Sequence, residues 1–166
     1  MNQETLIFPV PQKYSLSGKK QNLSSGKWII LPDNASFRLK NRVMEMARAL
    51  QKNFLTAPRV AAGKPESGEL LLIMCRKRGL GQEGYTLTVE GQGPITLEAT
   101  EDSGFFYGMQ SICQLLRTPS AVPCGKIQDW PSLRERGYML DISRNENCYT
   151  THDESLVPVD MAGQSY

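Results

Sequence analysis

The chain has 166 residues, 40% of them hydrophobic and 22% charged, which is enough apolar chain for one core of ordinary domain size with a little left over. Its 19 basic and 17 acidic side chains are interspersed to a formal net charge of +2, so there is no extended basic face for a nucleic-acid backbone. No apolar run approaches membrane-spanning length, and neither nucleic acid nor membrane is expected as a partner.

The amino-terminal stretch Met1 to Lys13 opens on polar and acidic residues and has only Leu6-Ile7-Phe8 as an apolar run, so no export signal is visible and a cytoplasmic location is the default. Pro9 and Pro11 hold the entry segment extended, and Lys27 to Leu31 reads as a short strand ended by Pro32. A helix is expected next. Asp33, Asn34 and Ser36 offer capping side chains, and Leu39, Val43, Met46, Ala47, Leu50 and Phe54 recur at three- and four-residue steps. Met44 and Met46 read as core filler. Ala57 to Gly68 is a loop, Glu69 to Cys75 a central strand apolar on both faces, and Arg76-Lys77-Arg78 a solvated turn.

The loop Gly79-Leu80-Gly81-Gln82-Glu83-Gly84 matches the G-x-G-x-x-G of dinucleotide sites, but that loop cradles a pyrophosphate only when it opens a helix. Here the next residues alternate as a strand does: Tyr85, Leu87 and Val89, then Ile95, Leu97 and Ala99, joined through Gly91 and Gly93 as a hairpin. No nucleotide cofactor is expected. Thr100 to Ser103 supply caps and first-turn acids for a second helix, whose stripe is Phe106, Met109, Ile112, Cys113 and Leu116 and which ends before Pro119. Pro119 to Gly125 reads as a linker. Two amphipathic helices and about four strands predict an α+β two-layer sandwich, a mixed sheet with both helices on one face.

After the linker, Lys126 to Arg144 carries a nearly continuous apolar run, Tyr138, Met139, Leu140 and Ile142, which reads as a buried strand holding Asp141 and closing on Arg144. Polar groups in and just after such a strand are where barrel enzymes place binding residues. Cys75, Cys113, Cys124 and Cys148 show no C-x-x-C spacing and read as free thiols, not as a disulfide or zinc framework. His152-Asp153-Glu154 joins a histidine to two acids, but three consecutive residues do not converge on one metal, so a polar tail is the reading and no metal is expected.

The ordered set E-G-Y-x-L-x-V at Glu83 to Val89, I-x-L-E-A at Ile95 to Ala99, G-F-F-Y-G-M-Q-S-I-C-Q-L-L at Gly104 to Leu116, I-Q-D-W-P at Ile127 to Pro131 and R-G-Y-M-L-D-I-S-R at Arg136 to Arg144 resembles glycoside hydrolase family 20, the β-N-acetylhexosaminidases. The resemblance implies a non-catalytic α+β domain at residues 1–125. It further implies a linker and first barrel strand at 126–146, with Gly137 to Ser143 opening a truncated (β/α)8 barrel, and an atypical tail at 147–166 that reads as disordered. Chemistry in that family is substrate-assisted and retaining, with an Asp that orients the 2-acetamido group and a neighbouring Glu that protonates the leaving oxygen. By resemblance both belong to a later barrel strand, so no catalytic residue is assigned here, and Arg144 matches the arginine that binds hydroxyls of the terminal sugar.

Three functions follow. The first is a truncated hexosaminidase-like protein, inactive alone, whose parent family acts on N-acetylhexosamine-containing glycans. The second is a stand-alone carbohydrate-binding or interaction module, for which Trp28, Trp130 and Tyr138 are the candidate aromatic platform. The third is a partner of a separately encoded barrel. A bare strand at Tyr138 to Ile142 would also favour self-association.

Overall fold

The alternation at residues 85–89 and 95–99 becomes the centre of a sheet. The structure, a computed structural model, describes residues 7–22, 28–53, 57–63, 68–116, 121–133 and 135–137, and the backbone of the strands 148–149 and 158–159. Seven strands form the sheet: β1 (Lys13–Asn22), β2 (Trp28–Ile30), β3 (Arg59–Ala61), β4 (Leu70–Arg76), β5 (Tyr85–Val89), β6 (Ile95–Ala99) and β7 (Ala121–Asp129). Their spatial order is β1-β7-β5-β6-β4-β2-β3. Pairings among β3, β2, β4 and β6 are parallel, and those among β6, β5, β7 and β1 antiparallel, so the sheet is mixed as expected.

Two helices connect strands of this sheet. The first, α1 (Phe37–Leu50), joins β2 to β3 and runs on into a 3-10 turn at Gln51–Asn53; the second, α2 (Asp102–Leu115), joins β6 to β7. The helices touch each other as well as the sheet, so they share one of its faces. Their apolar stripes meet the inward side chains of the strands in one core: Leu39, Val43, Met46 and Leu50 from α1, Phe105, Met109, Ile112 and Leu115 from α2, and Leu72, Met74, Leu87, Ile95 and Leu97 beneath. In antiparallel pairs the facing partners Leu87 with Leu97 and Leu87 with Ile127 share that inner face. The opposite face carries half-buried Thr88, Thr96 and Glu98.

A buried hydroxyl needs a partner, and Tyr85 finds one in Ser111 of α2 at 2.6 Å. Burial pushes the Tyr85 phenol up to about 12, against the bond from Ser111 and with the charge of Asp129. Two glycines let α2 lie close to the sheet. A Cβ on Gly104 would overlap the Gly84 carbonyl oxygen, and one on Gly108 would overlap the side chain of Leu97.

Several expectations are corrected. The stretch read as a linker is the first part of β7, which pairs with both β1 and β5; a proline at position 123 and a glycine at 125 gave it a loop's composition. Gly125 is there because β1 crosses so near that a Cβ would meet the Ser15 carbonyl, and its φ is +149°. Neither β1 nor β3 was expected, so the sheet has seven strands. Met44 is exposed at 44% while Met46 is buried, and Phe105 fills the core where Phe106 was named, Phe106 being only partly buried. Arg76, Lys77 and Arg78 are exposed as expected, but Arg76 still belongs to β4, and Arg76 and Lys77 pair within the domain with Asp102 and Glu98.

The chain divides into two compact units, Met1–Ser132 and Leu133–Tyr166. In the second, Cys148–Tyr149 (β8) pairs antiparallel with Pro158–Val159 (β9). Tyr138, Asp141, Arg144 and His152 to Glu154 lie outside the described residues.

Candidate functional site

The aromatic platform required of a sugar-binding surface can be tested at both tryptophans. Trp28 is half-buried at the start of β2, and the Arg59 guanidinium of β3 sits 5.6 Å from its ring centroid. Trp130 follows β7, is 38% exposed, and has the Lys13 ammonium 5.5 Å from its centroid. Each ring offers a face to a cation of its own domain, an arrangement that stabilises the ring where it is and competes with a sugar for it.

The glycine loop is likewise accounted for by structure. Leu80 donates its backbone N–H to Thr100 Oγ1 at 3.2 Å, and Ser103 Oγ donates to the Gln82 carbonyl at 2.6 Å, so the loop is strapped across the first turn of α2. It leads into β5, which leaves no helix N-terminus following it for a pyrophosphate.

Adjacent Glu101 and Asp102 are the one neighbouring Glu–Asp pair on the described elements, and their setting is wrong for a proton donor. Asp102 opens α2 and pairs with Arg76, whose guanidinium also donates to the Thr100 carbonyl at 3.2 Å and stacks 5.0 Å from the Phe105 ring centroid. Ser36, the N-cap of α1, accepts from the Leu39 N–H at 3.1 Å through Oγ and donates to Asp102 through its hydroxyl and backbone N–H. Partial burial works against the ionised carboxyl, but the bonds from Ser36 and Arg76 and the arginine's charge outweigh it and hold Asp102 below the usual carboxylate range. A general acid needs the reverse shift. This junction of α1, α2 and β4 is therefore structural; the sequence reading saw a first-turn acid and a turn arginine without connecting them, because they lie 26 positions apart.

The thiols point the same way. Burial raises the pKa of Cys75, with the charges of Glu98 and Asp33 adding to it, and burial raises that of Cys113, so both stay protonated and inert as nucleophiles. Cys75, Cys113 and Cys124 are free, as expected. Among the described residues there is no cluster of three or more His, Cys, Asp or Glu side chains able to hold a metal, and no helix long and apolar enough to cross a membrane.

A groove of about 570 Å³ between the helices is lined by Met46, Ala49, Met109 and Cys113 together with Arg38, Arg42 and Glu45. Arg38 lies over Phe106 there, 5.8 Å from the ring centroid, and Arg42 is paired with Glu45 at 2.7 Å. A smaller polar hollow of about 500 Å³ is lined by Gln82 and Thr100 to Ser103. Neither brings together a nucleophile, a base and an orienting group.

Comparison with known proteins identifies where this arrangement recurs. The family described as "Glycosyl hydrolase family 20, domain 2" matches residues 4–130. A β-hexosaminidase of Porphyromonas gingivalis is 32% identical over 150 residues, 84% of this chain and 19% of that protein. A lacto-N-biosidase of Bifidobacterium bifidum is 31% identical over 119 residues, 71% of this chain and 10% of that protein. The solved N-acetyl-β-hexosaminidase of Streptomyces plicatus superposes with a TM-score of 0.68 at 28% identity, covering 84% of this chain and 29% of that one. The chain thus spans less than a third of each of these proteins.

Proposed function

Because the chain belongs to glycoside hydrolase family 20, with the family's second-domain match spanning residues 4–130, we propose that its first 130 or so residues, through the end of β7, are the non-catalytic α+β domain of a β-N-acetylhexosaminidase. On this reading the residues after β7, up to 146, lead into the first strand of a (β/α)8 barrel, 147–166 are a tail foreign to the family pattern, and Arg144 is the sugar-hydroxyl ligand of the complete site. The substrate class is glycans bearing a terminal N-acetylhexosamine, and the polypeptide by itself turns nothing over. The observation that carries the reading is the family match over residues 4–130, a unit in which Asp102 is committed to Ser36 and Arg76, and Glu98 to Lys77 at 2.7 Å.

The test is an assay of the purified chain with a chromogenic aryl N-acetyl-β-hexosaminide, run beside an intact family enzyme. The expected result is no turnover above buffer. Saturable turnover that co-purifies with the chain through two columns overturns the inactive reading. The alternative of a free-standing carbohydrate-binding module is opposed by Lys13 and Arg59 over the two tryptophan rings.

A further inference from the structure

On the sheet face opposite the helices, the strands nearest the β1 edge carry charge of one sign only. Between Glu4 and Asp33 the chain has four lysines and no acid. Three of them, Lys13, Lys19 and Lys20, lie on β1 and are exposed. Facing residues of an antiparallel pair share a face, so Lys13 with Gln128 and Ser15 with Lys126 stand on the side of β7 away from buried Ile127. Thr86 and Thr88 of β5 continue the same two rows. Farther along, β1 bulges: Ser17, Gly18 and Lys19 stand against the single Cys124, between the pairs Leu16 with Gly125 and Lys20 with Pro123. The Ser17 hydroxyl accepts from the Lys19 N–H at 3.3 Å within that bulge. Five strand residues separate Gln128 from Pro123, so the cations are spread over roughly 15 Å.

Lysines on an edge strand discourage a further strand from pairing there, which accounts for those on β1. It does not account for exposed Lys126 on the interior strand β7, nor for a face of three strands without a carboxylate. Among the described residues no acid pairs with Lys19, Lys20 or Lys126. Asp129 shares the Ile127 side of β7 and accepts from the Gln12 N–H at 3.0 Å, Glu98 two strands away pairs with Lys77, and Glu90 lies past the end of β5. A row of ammonium groups of this length is complementary to a polymer bearing several negative charges. Its neighbours say which polymer. Ser15, Thr88 and Gln128 offer hydroxyl and amide groups suited to sugar hydroxyls, and the aromatic beside them, Trp130, has the Lys13 ammonium over its ring in place of a nucleobase. Resting on the accessory-domain reading above, whose substrates carry N-acetylhexosamine, we infer that the β1–β7 face binds an acidic polysaccharide in which N-acetylhexosamine alternates with carboxylate-bearing sugars.

The experiment measures binding of fluorescently labelled hyaluronan, a polymer of alternating N-acetylglucosamine and glucuronate, to the full 166-residue chain at low ionic strength. A neutral oligomer of N-acetylglucosamine and a single-stranded DNA of equal charge are run beside it. Expected is saturable binding of hyaluronan and none of the neutral oligomer at the same concentration. Lys19→Gln, Lys20→Gln and Lys126→Gln together should weaken it about tenfold or more, and Lys40→Gln, Arg48→Gln and Lys52→Gln, the same loss of charge from exposed positions on α1 and the turn after it, by less than about twofold. Added sodium chloride should weaken wild-type binding as well, a check that needs no substitution. A chain that does not bind hyaluronan, or that loses as much from the α1 variant, overturns the surface. DNA bound more tightly than hyaluronan overturns the glycan assignment. The aryl hexosaminide assay on the same preparations bears on the other reading alone: turnover overturns the inactive accessory domain, whereas an inactive chain that ignores hyaluronan loses only the surface inferred here.

Discussion

Asp102 shows how much one side chain can join. Its carboxylate takes two bonds from the N-cap of one helix and one from the arginine of a central strand while opening a second helix, so negative charge sits where the amino-terminal ends of both helices favour it. Because its folded-state pKa lies below the value of an unfolded carboxylate, the junction's contribution is fully present above about pH 4. It is lost as pH falls through the folded value, where the native state must take up a proton it had resisted. Asp102→Asn keeps the shape and removes the charge, and the expected cost is about 1–2 kcal/mol at neutral pH. In urea titrations between pH 7 and pH 3, the gap between wild type and variant should close toward acid. A gap that stays constant over that range would show that the carboxylate's charge contributes nothing.

At the scale of the element, α2 was legible in the sequence as an amphipathic helix, and Met109, Ile112 and Leu116 of its stripe are buried, but the phenylalanine that fills the core is Phe105 and not Phe106. The reason lies in its glycines. Gly104 and Gly108 lower the helix toward the sheet, and a bare stripe of large residues does not reveal which side approaches so closely. Both glycines sit in a helix where alanine would normally gain roughly 1 kcal/mol. At Gly104 the obstacle is the Gly84 backbone carbonyl, which can move only if the loop strapped by Thr100 and Ser103 moves with it. At Gly108 the obstacle is the tip of Leu97, a side chain able to rearrange. Gly104→Ala should therefore destabilise by about 1–3 kcal/mol despite the better propensity, and Gly108→Ala by less. Leu97→Val, by withdrawing the clashing methyl groups, should recover part of the Gly108→Ala loss. Chemical denaturation of the four proteins checks this, and equal losses at the two glycines would contradict it. Strands β1 and β3 escaped sequence reading for a related reason: β1 is a ten-residue edge strand rich in lysine and serine with only Gln21 buried, and β3 is three residues long, so neither shows the alternation that marks a half-buried strand.

At the scale of the whole molecule, family membership was legible because four of its five motifs fall in the parts that the core dictates: the β5–β6 hairpin, the close-packed face of α2, and β7 running to Trp130. The junction at Asp102 and the pair of bonds between the Gln114 side-chain amide and the Phe8 backbone were not, since each is assembled by residues far apart in the chain whose local sequence has no periodic signature. These contacts all lie inside the unit Met1–Ser132, which contains every strand of the seven-stranded sheet, both helices and the continuous buried core. A unit that closes its own core in this way carries its own cooperativity, with nothing in the described core drawn from beyond residue 132. A chain ending at Ser132 should accordingly unfold in a single transition, with a midpoint within about 2 °C of the 166-residue chain, since none of the described residues of the removed segment belongs to the core. Calorimetry of the two lengths under the same buffer provides the comparison. A midpoint lowered by 5 °C or more, or a broadened transition, would mean that residues 133–166 are an energetic part of the first unit, and the accessory-domain boundary would have to move beyond them.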